Sequence, residues 1–152
     1  MPRADIRMTP EEVLDFLAGR YDAALATLGP DGYPHQASMW YVLDGDRVLM
    51  WTFRKSQKAR NLTRDRRASL LVDAGEGYGE LRGVLIRGEV EVVEDVAEVT
   101  RIGLALADRY GGRYGADAAT TRTAHERQAP KRIGIVLDVR RVASWDFGRI
   151  GG

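Results

Sequence analysis

The 152-residue sequence predicts a mainly β fold with added helices (β+α): an antiparallel barrel flanked by peripheral helices. Three observations support this reading. β-like runs outnumber helical ones. Successive runs are joined by short Gly, Asp and Pro turns, which suit antiparallel pairing rather than parallel crossovers. Gly83 and Gly88 interrupt one long apolar run, where a small barrel would use bulges or bends to turn its corners. The length fits a single domain over residues 1–152.

Thr9-Pro10-Glu11-Glu12 reads as a helix start, with Thr9 as N-cap, Pro10 in the first turn and Glu12 reaching back. Val13, Leu14, Phe16 and Leu17 form its apolar stripe, and Gly19 ends it. Tyr21 to Leu28 and Pro34 to Leu43 form a hairpin through Gly29-Pro30-Asp31-Gly32. Asp44-Gly45-Asp46 turns into a strand from Arg47 to Phe53 that is apolar on both faces, so both faces are expected to be covered. Ser56 caps a short helix to about Arg64, with Leu62 as its main apolar contact, and a strand follows from Ala68 to Asp73. The Gly75 to Gly79 turn leads to a long strand, Leu81 to Val93. Asp95 caps the next helix, with Glu98 at the capping-box position. Val96, Val99, Ile102, Gly103, Leu106 and Tyr110 recur there at helical spacing until Gly111-Gly112. Residues 111–130 read as polar and irregular, partly helical near Thr120 to Gln128, and Ile133 to Val139 and Val142 to Trp145 as two closing strands.

With 44% hydrophobic and 30% charged residues, the chain has the composition of an ordinary globular protein. It has no Cys, which excludes disulfides and thiolate chemistry and suits a cytoplasmic setting. Two histidines, His35 and His125, are too few for an expected metal site. His35 reads as structural and His125 as exposed in a polar segment. No run is long enough to span a bilayer, and Met1 to Thr9 does not read as a signal peptide. Gly75 to Gly79 is followed by a strand rather than a helix, so it is a turn and not a dinucleotide loop. The serines show no triad order.

The net charge is only +1, which speaks against nucleic-acid or membrane binding, yet the charge is unevenly placed. Arg54 to Arg67 holds seven basic residues against one acid, Asp65, so this segment carries +6 and the remainder −5. It lies where a strand ends and a helix begins. Free N–H groups at a helix N-terminus attract anions, and Lys55, Lys58 and Arg60 would add mobile donors. A phosphate fits the stretch Lys55-Ser56-Gln57-Lys58-Ala59-Arg60-Asn61; a merely solvated basic helix face is the alternative.

Six ordered blocks carry a family resemblance: Ala24-Leu25-Ala26-Thr27-Leu28, Asp31-Gly32-Tyr33-Pro34-His35, Met39-Trp40-Tyr41, Trp51-Thr52, Lys55 to Leu62, and Arg67-Ala68-Ser69-Leu70. Arg87-Gly88-Glu89-Val90 and Ser144-Trp145-Asp146 extend it. The chain resembles the pyridoxamine-phosphate-oxidase-like superfamily, an antiparallel split β-barrel of the FMN-binding type. Within it, the chain is similar to the branch that uses the deazaflavin coenzyme F420. The resemblance implies a cytoplasmic homodimer with cofactor sites at the subunit interface. It implies that Ser38, Met39, Trp40 and Tyr41 line the ring, that Trp51 and Thr52 lie beside it, and that Lys55, Ser56, Gln57, Lys58 and Arg60 surround the phosphate. Trp145 would approach from the partner subunit.

Two departures bear on the cofactor. Where the FMN-using oxidases place an arginine for the phosphate, this chain reads Gln36-Ala37-Ser38. Its end, Phe147-Gly148-Arg149-Ile150-Gly151-Gly152, also lacks the terminus expected of a pyridoxal-phosphate site. The resemblance therefore implies an F420-dependent reductase that passes hydride to a small organic acceptor such as a quinone, enone, nitroaromatic or tetrapyrrole. FMN is the alternative cofactor, and a non-enzymatic cofactor carrier or nucleic-acid-binding module is the alternative of another class. No catalytic residue stands out; water or Tyr41 is a candidate proton source.

Overall fold

The structure is a computed structural model that describes residues 5–150. The readings above of Met1 and of Gly151-Gly152 lie outside the described residues. In chain order the elements are α1 (Pro10–Ala18), β1 (Ala23–Leu28), β2 (Pro34–Met39), β3 (Val42–Asp44), β4 (Arg47–Phe53), α2 (Gln57–Arg64), β5 (Arg67–Ala74), β6 (Arg82–Val93), α3 (Val96–Tyr110), α4 (Ala118–Gln128) and β7 (Arg132–Asp146). Short 3-10 turns lie at Tyr78–Glu80, Gly111–Tyr114, Ala129–Lys131 and Phe147–Arg149.

The seven strands form one antiparallel sheet in the order β2-β1-β5-β6-β7-β4-β3. Its two edges, β2 and β3, are consecutive in sequence and separated only by Trp40 and Tyr41. Three Cα steps span at most about 11 Å. The sheet must therefore curl until its edges nearly meet, and the barrel is split along that seam.

The break at Trp40 and Tyr41 corrects the single strand expected from Pro34 to Leu43. Side chains of α3 take over the backbone groups of Tyr41 that a ladder would otherwise use. The Tyr41 N–H donates to the Tyr110 hydroxyl at 2.9 Å, and its carbonyl accepts from Arg109 Nη1 at 2.7 Å. The Tyr110 hydroxyl in turn donates to the Tyr21 carbonyl at 2.6 Å. The Tyr41 hydroxyl donates to the Leu17 carbonyl at 2.6 Å, and Arg109 Nη2 reaches the carbonyls of Leu17, Ala18 and Arg20. A cation thus caps the carboxyl end of α1 while holding the chain open between β2 and β3.

The barrel interior is filled by Leu25, Met39, Val48, Met50, Leu70, Val72, Val84, Ile86, Ile133, Ile135 and Leu137. Val13, Phe16 and Leu17 of α1 and Ala59 and Leu62 of α2 also pack into it. A second cluster lies outside the sheet, where Leu49, Trp51 and Val136 meet Val99, Ile102, Leu106 and Tyr110 of α3. Both faces of β4 are covered, as its composition predicts. Gly103 lets α3 approach closely: a Cβ there would lie 2.3 Å from the Trp51 ring.

The caps follow the sequence with one exception. Thr9 and Glu12 form a reciprocal capping box. Asp95 accepts from the Glu98 N–H, but the Glu98 carboxylate pairs with Arg101 at 3.1 Å instead of reaching back. The two expected closing strands are one strand of 15 residues. The apparent gap is a bulge: Arg87 pairs with Arg141 and Gly88 with Val139, which leaves Arg140 as the extra residue. A Cβ on Gly88 would lie 1.9 Å from the Asp138 carbonyl oxygen, so the bulge needs glycine opposite it. The segment read as irregular is a 3-10 turn, then 11 residues of α4 capped by Asp117.

Gly88→Ala must displace the β7 backbone and is expected to lower stability by about 1–3 kcal/mol, read from urea unfolding. Tyr41→Phe removes the hydroxyl's hydrogen bond to the Leu17 carbonyl, which keeps Arg109 as a donor, and is expected to remove about 1 kcal/mol, with ligand affinity unchanged in the same preparation.

Candidate functional site

Strand β4 delivers the chain directly into α2, and Ser56 sets the angle. Its backbone is extended, and its Oγ accepts from the Ala59 N–H at 3.2 Å while receiving the Thr52 hydroxyl at 3.3 Å. The N–H groups of Gln57 and Lys58 have no partner among the described residues. Asn61 fixes the helix to the barrel. Fully buried, it donates to Thr27 Oγ1 at 3.0 Å and accepts from Gln57 Nε2 at 2.8 Å. The Gln57 side chain is therefore committed to anchoring α2.

The structure also sorts the basic segment. Arg67 is held by Asp65 at 2.8 Å, Arg54 approaches Glu94 at 3.9 Å, and Arg64 bonds the Leu28 carbonyl. Lys55, Lys58 and Arg60 carry no ion pair among the described residues, and neither does Arg66, which lies beyond the far end of α2. Lys55 and Arg60 are exposed and Lys58 half-buried. Burial, reinforced by the charge of Arg132, pushes the Lys58 ammonium below its ordinary range. Three unpaired cations and two free N–H groups converge on one helix end, an arrangement suited to a phosphate.

On the outer side of β4 a cavity of about 550 Å³ opens between the sheet, α3 and α4. Ser38, Met39, Trp40 and Trp51 line it, as do Tyr114, Thr121, His125, Gln128 and Arg132. Its walls are aromatic. Trp40 stacks on Tyr110 with centroids 4.3 Å apart, and Trp51 stacks on His125 at 5.0 Å. Tyr114 meets Trp40 and His125 edge-on. The Arg132 guanidinium lies 4.7 Å from the Trp51 centroid and 3.9 Å from that of Phe53, and donates to Gln128 at 2.8 Å.

Polar groups are left over behind the wall of this cavity. The Arg132 Nε and the Thr121 hydroxyl are buried without partners among the described residues. Unpaired buried donors carry a free-energy penalty. Burial pushes the Tyr114 hydroxyl up to about 12, so it stays protonated at neutral pH. Burial likewise lowers the basicity of His125, outweighing its hydrogen bond to Thr121, and Arg132 adds to the effect. A flat ring with an anionic tail matches this donor set: the ring between the aromatic walls, the tail at α2.

The expected residues divide. Ser38, Met39, Trp40 and Trp51 line the cavity. Thr52 is buried against Ser56, and Lys55, Ser56, Lys58 and Arg60 ring the α2 terminus. Tyr41 lies in the core, with its hydroxyl tied to α1 and pushed up to about 12 by burial, so it does not border the β4–α4 cavity and is not placed to supply a proton there. Trp145 lies over Gly83 on the adjacent strand of its own chain.

Tyr114, Thr121, His125 and Arg132 were not expected. His125 is buried rather than exposed, only 6% accessible. The signal for α4 was present in the sequence. Asp117 caps the Thr120 N–H at 2.8 Å, and a helix starting there puts Thr121 and His125 on one face, four residues apart. Among the described residues, no three His, Asp or Glu side chains converge as metal ligands, and no helix is long and apolar enough to cross a membrane.

Known proteins share this architecture. A conserved hypothetical protein from Mycobacterium tuberculosis, Rv2991, is 39% identical and superposes with a TM-score of 0.87, covering 100% of this chain and 93% of that one. An F420 reductase is 26% identical with a TM-score of 0.67, covering 89% and 98%. The heme storage protein HutZ from Vibrio cholerae is 17% identical with a TM-score of 0.70, covering 94% and 98%, a likeness of fold alone. The sequence profile of pyridoxamine 5'-phosphate oxidase matches residues 9–146, which spans both the α2 terminus and the cavity. The chain belongs to the pyridoxamine 5'-phosphate oxidase family of split-barrel proteins.

Proposed function

We propose that this protein is a coenzyme F420-dependent reductase that passes hydride to a small organic acceptor. The observation that carries the reading is the set of unpaired cations, Lys55, Lys58 and Arg60, at the α2 terminus beside an aromatic cavity. The likeness to an F420 reductase over nearly the whole chain supports it. So does Gln36-Ala37-Ser38 standing where the FMN-using oxidases place an arginine.

When bound, the reduced deazaflavin supplies a hydride from its ring carbon; the protein supplies placement. Lys55, Lys58, Arg60 and the free N–H groups of Gln57 and Lys58 hold the phosphate. Ser38, Met39, Trp40, Trp51 and Thr52 border the ring, and the aromatic walls keep water from it. FMN carries the same phosphate and a similar ring, so an FMN-binding oxidoreductase is the second reading.

The site is completed by a second copy of the chain. Ala24, Ala26, Ser69, Leu71, Leu85 and Trp145 lie half-exposed on one sheet face, with the exposed Arg87 and Arg141 in register with Ser69. A face of this kind suits pairing with its own symmetry mate. Light scattering is expected to give a dimer, and a monomer at micromolar concentration would remove this part of the proposal.

Titration with F420, followed by tryptophan fluorescence, is expected to saturate. Tight FMN binding without F420 binding would shift the assignment to FMN. Lys55→Ala with Lys58→Ala is expected to weaken F420 binding roughly tenfold or more at unchanged Tm. Unchanged affinity would return the segment to an ordinary solvated face.

A further inference from the structure

A second gap opens in the barrel wall, away from the β2–β3 seam. β4 pairs with β7 only from Arg132 to Leu137. Past the bulge at Arg140, β7 keeps β6 as its partner but has no strand on its other side among the described residues. Residues 5–8 lie along its far end instead: the Asp146 N–H donates to the Ile6 carbonyl at 2.7 Å, and the Met8 N–H to Ser144 Oγ at 2.9 Å. The consequence shows at Val142. It lies opposite Ile86, a barrel-interior residue only 1% accessible, yet Val142 itself is 44% exposed. Leu14 of α1, on the same opening, is 42% exposed. Behind them a cavity of about 700 Å³ runs between α1, β3 and β7 to the buried Val13, Leu17 and Val48. It shares no lining residue with the β4–α4 cavity.

The rim of this cavity carries Arg7, Asp46 and Arg141. Arg7 pairs with Asp5 at 2.8 Å. Arg141 and Asp46 are exposed and have no ion pair among the described residues. A guanidinium is a planar fork that grips a carboxylate through two parallel hydrogen bonds, whereas a carboxylate holds an ammonium only as a point charge. Arg141 is therefore the stronger recognition element, and the Asp46 carboxylate disfavours a ligand with a second negative charge.

We propose that this gap is a second ligand site that takes the aliphatic chain of a monocarboxylate such as a fatty acid, with the carboxylate on Arg141. The volume is that of a small-molecule site, and the walls are apolar, so each buried methylene adds affinity. The site is independent of the cofactor reading above.

Binding to the protein tests this. A dansyl-labelled undecanoic acid, whose emission rises in apolar surroundings, is expected to saturate and to be displaced by laurate. Laurate should displace it about tenfold more effectively than dodecanol, the effect of one charge-assisted pair, and dodecylamine should be weakest. Octanoate, with its shorter chain, should need a concentration roughly tenfold higher or more. Arg141→Gln should bring laurate down to the level of dodecanol and leave dodecanol unchanged. Val142→Glu sets a charge in the apolar mouth and should weaken every ligand roughly tenfold or more, at a Tm close to the parent's because the position is already half open to water.

Absence of saturable binding, unchanged binding to folded Val142→Glu, equal displacement by laurate and dodecanol, or a preference for dodecylamine overturns the proposal. So does a laurate preference that survives in Arg141→Gln. If Val142→Glu does not fold, Leu14→Glu on the same opening takes its place under the same criteria. None of these outcomes touches the F420 reading, which stands or falls on the F420 titration.

Discussion

The architecture depends on the way Arg109 and Tyr110 hold Tyr41. A sheet that curls into a barrel must either close its seam with ladder hydrogen bonds or satisfy the exposed backbone groups in another manner. Here side chains of α3 do so at one residue. Arg109 serves three elements at once: the α1 carboxyl end, the β2–β3 junction and its own helix. Its guanidinium also lies 4.6 Å from the Tyr41 centroid and 4.8 Å from that of Tyr21, so aromatic faces flank this half-buried charge. The same junction turns Trp40 outward onto Tyr110, and that stacked pair becomes a wall of the candidate site. Fold closure and ring slot have a common origin.

The second constraint is electrostatic. Seven basic residues between Arg54 and Arg67 would repel one another were they left free. The structure assigns Arg67 to Asp65, Arg54 to Glu94 and Arg64 to a backbone carbonyl, and leaves Lys55, Lys58 and Arg60 unpaired near the α2 N-terminus and Arg66 unpaired beyond its far end. The buried Asn61 keeps that terminus in place against Thr27, so the helix end that would bind an anion is fixed by a polar contact with the barrel.

Much of this was legible in the sequence because it is local. Caps at Thr9, Ser56 and Asp95, the Gly-Pro-Asp-Gly turn and the two-sided apolar pattern of β4 each follow from a few neighbouring residues. The break at Tyr41 was not, because it is imposed by residues 68 and 69 positions away. The bulge at Arg140 was half legible: Gly88 marked the need, but its partner strand looked like two strands with a gap. Tyr41 was misplaced because an aromatic in a strand next to Trp40 does not reveal which face it occupies once the strand ends. His125 was overlooked because its helix is polar, and polarity reads as exposure unless the cavity it faces is known.

Neither apolar cluster draws a residue from α4, whose own buried residues are Thr121 and His125. The helix is capped by its own Asp117 and rests on the outer layer through His125 on Trp51, so the barrel interior does not rely on it for packing. Side chains on that helix can drift over evolutionary time with little penalty to folding, while each change alters the cavity wall. Lineages built on this barrel can therefore diversify in ligand repertoire through one helix, with the seam, the anion site and the core left unaltered.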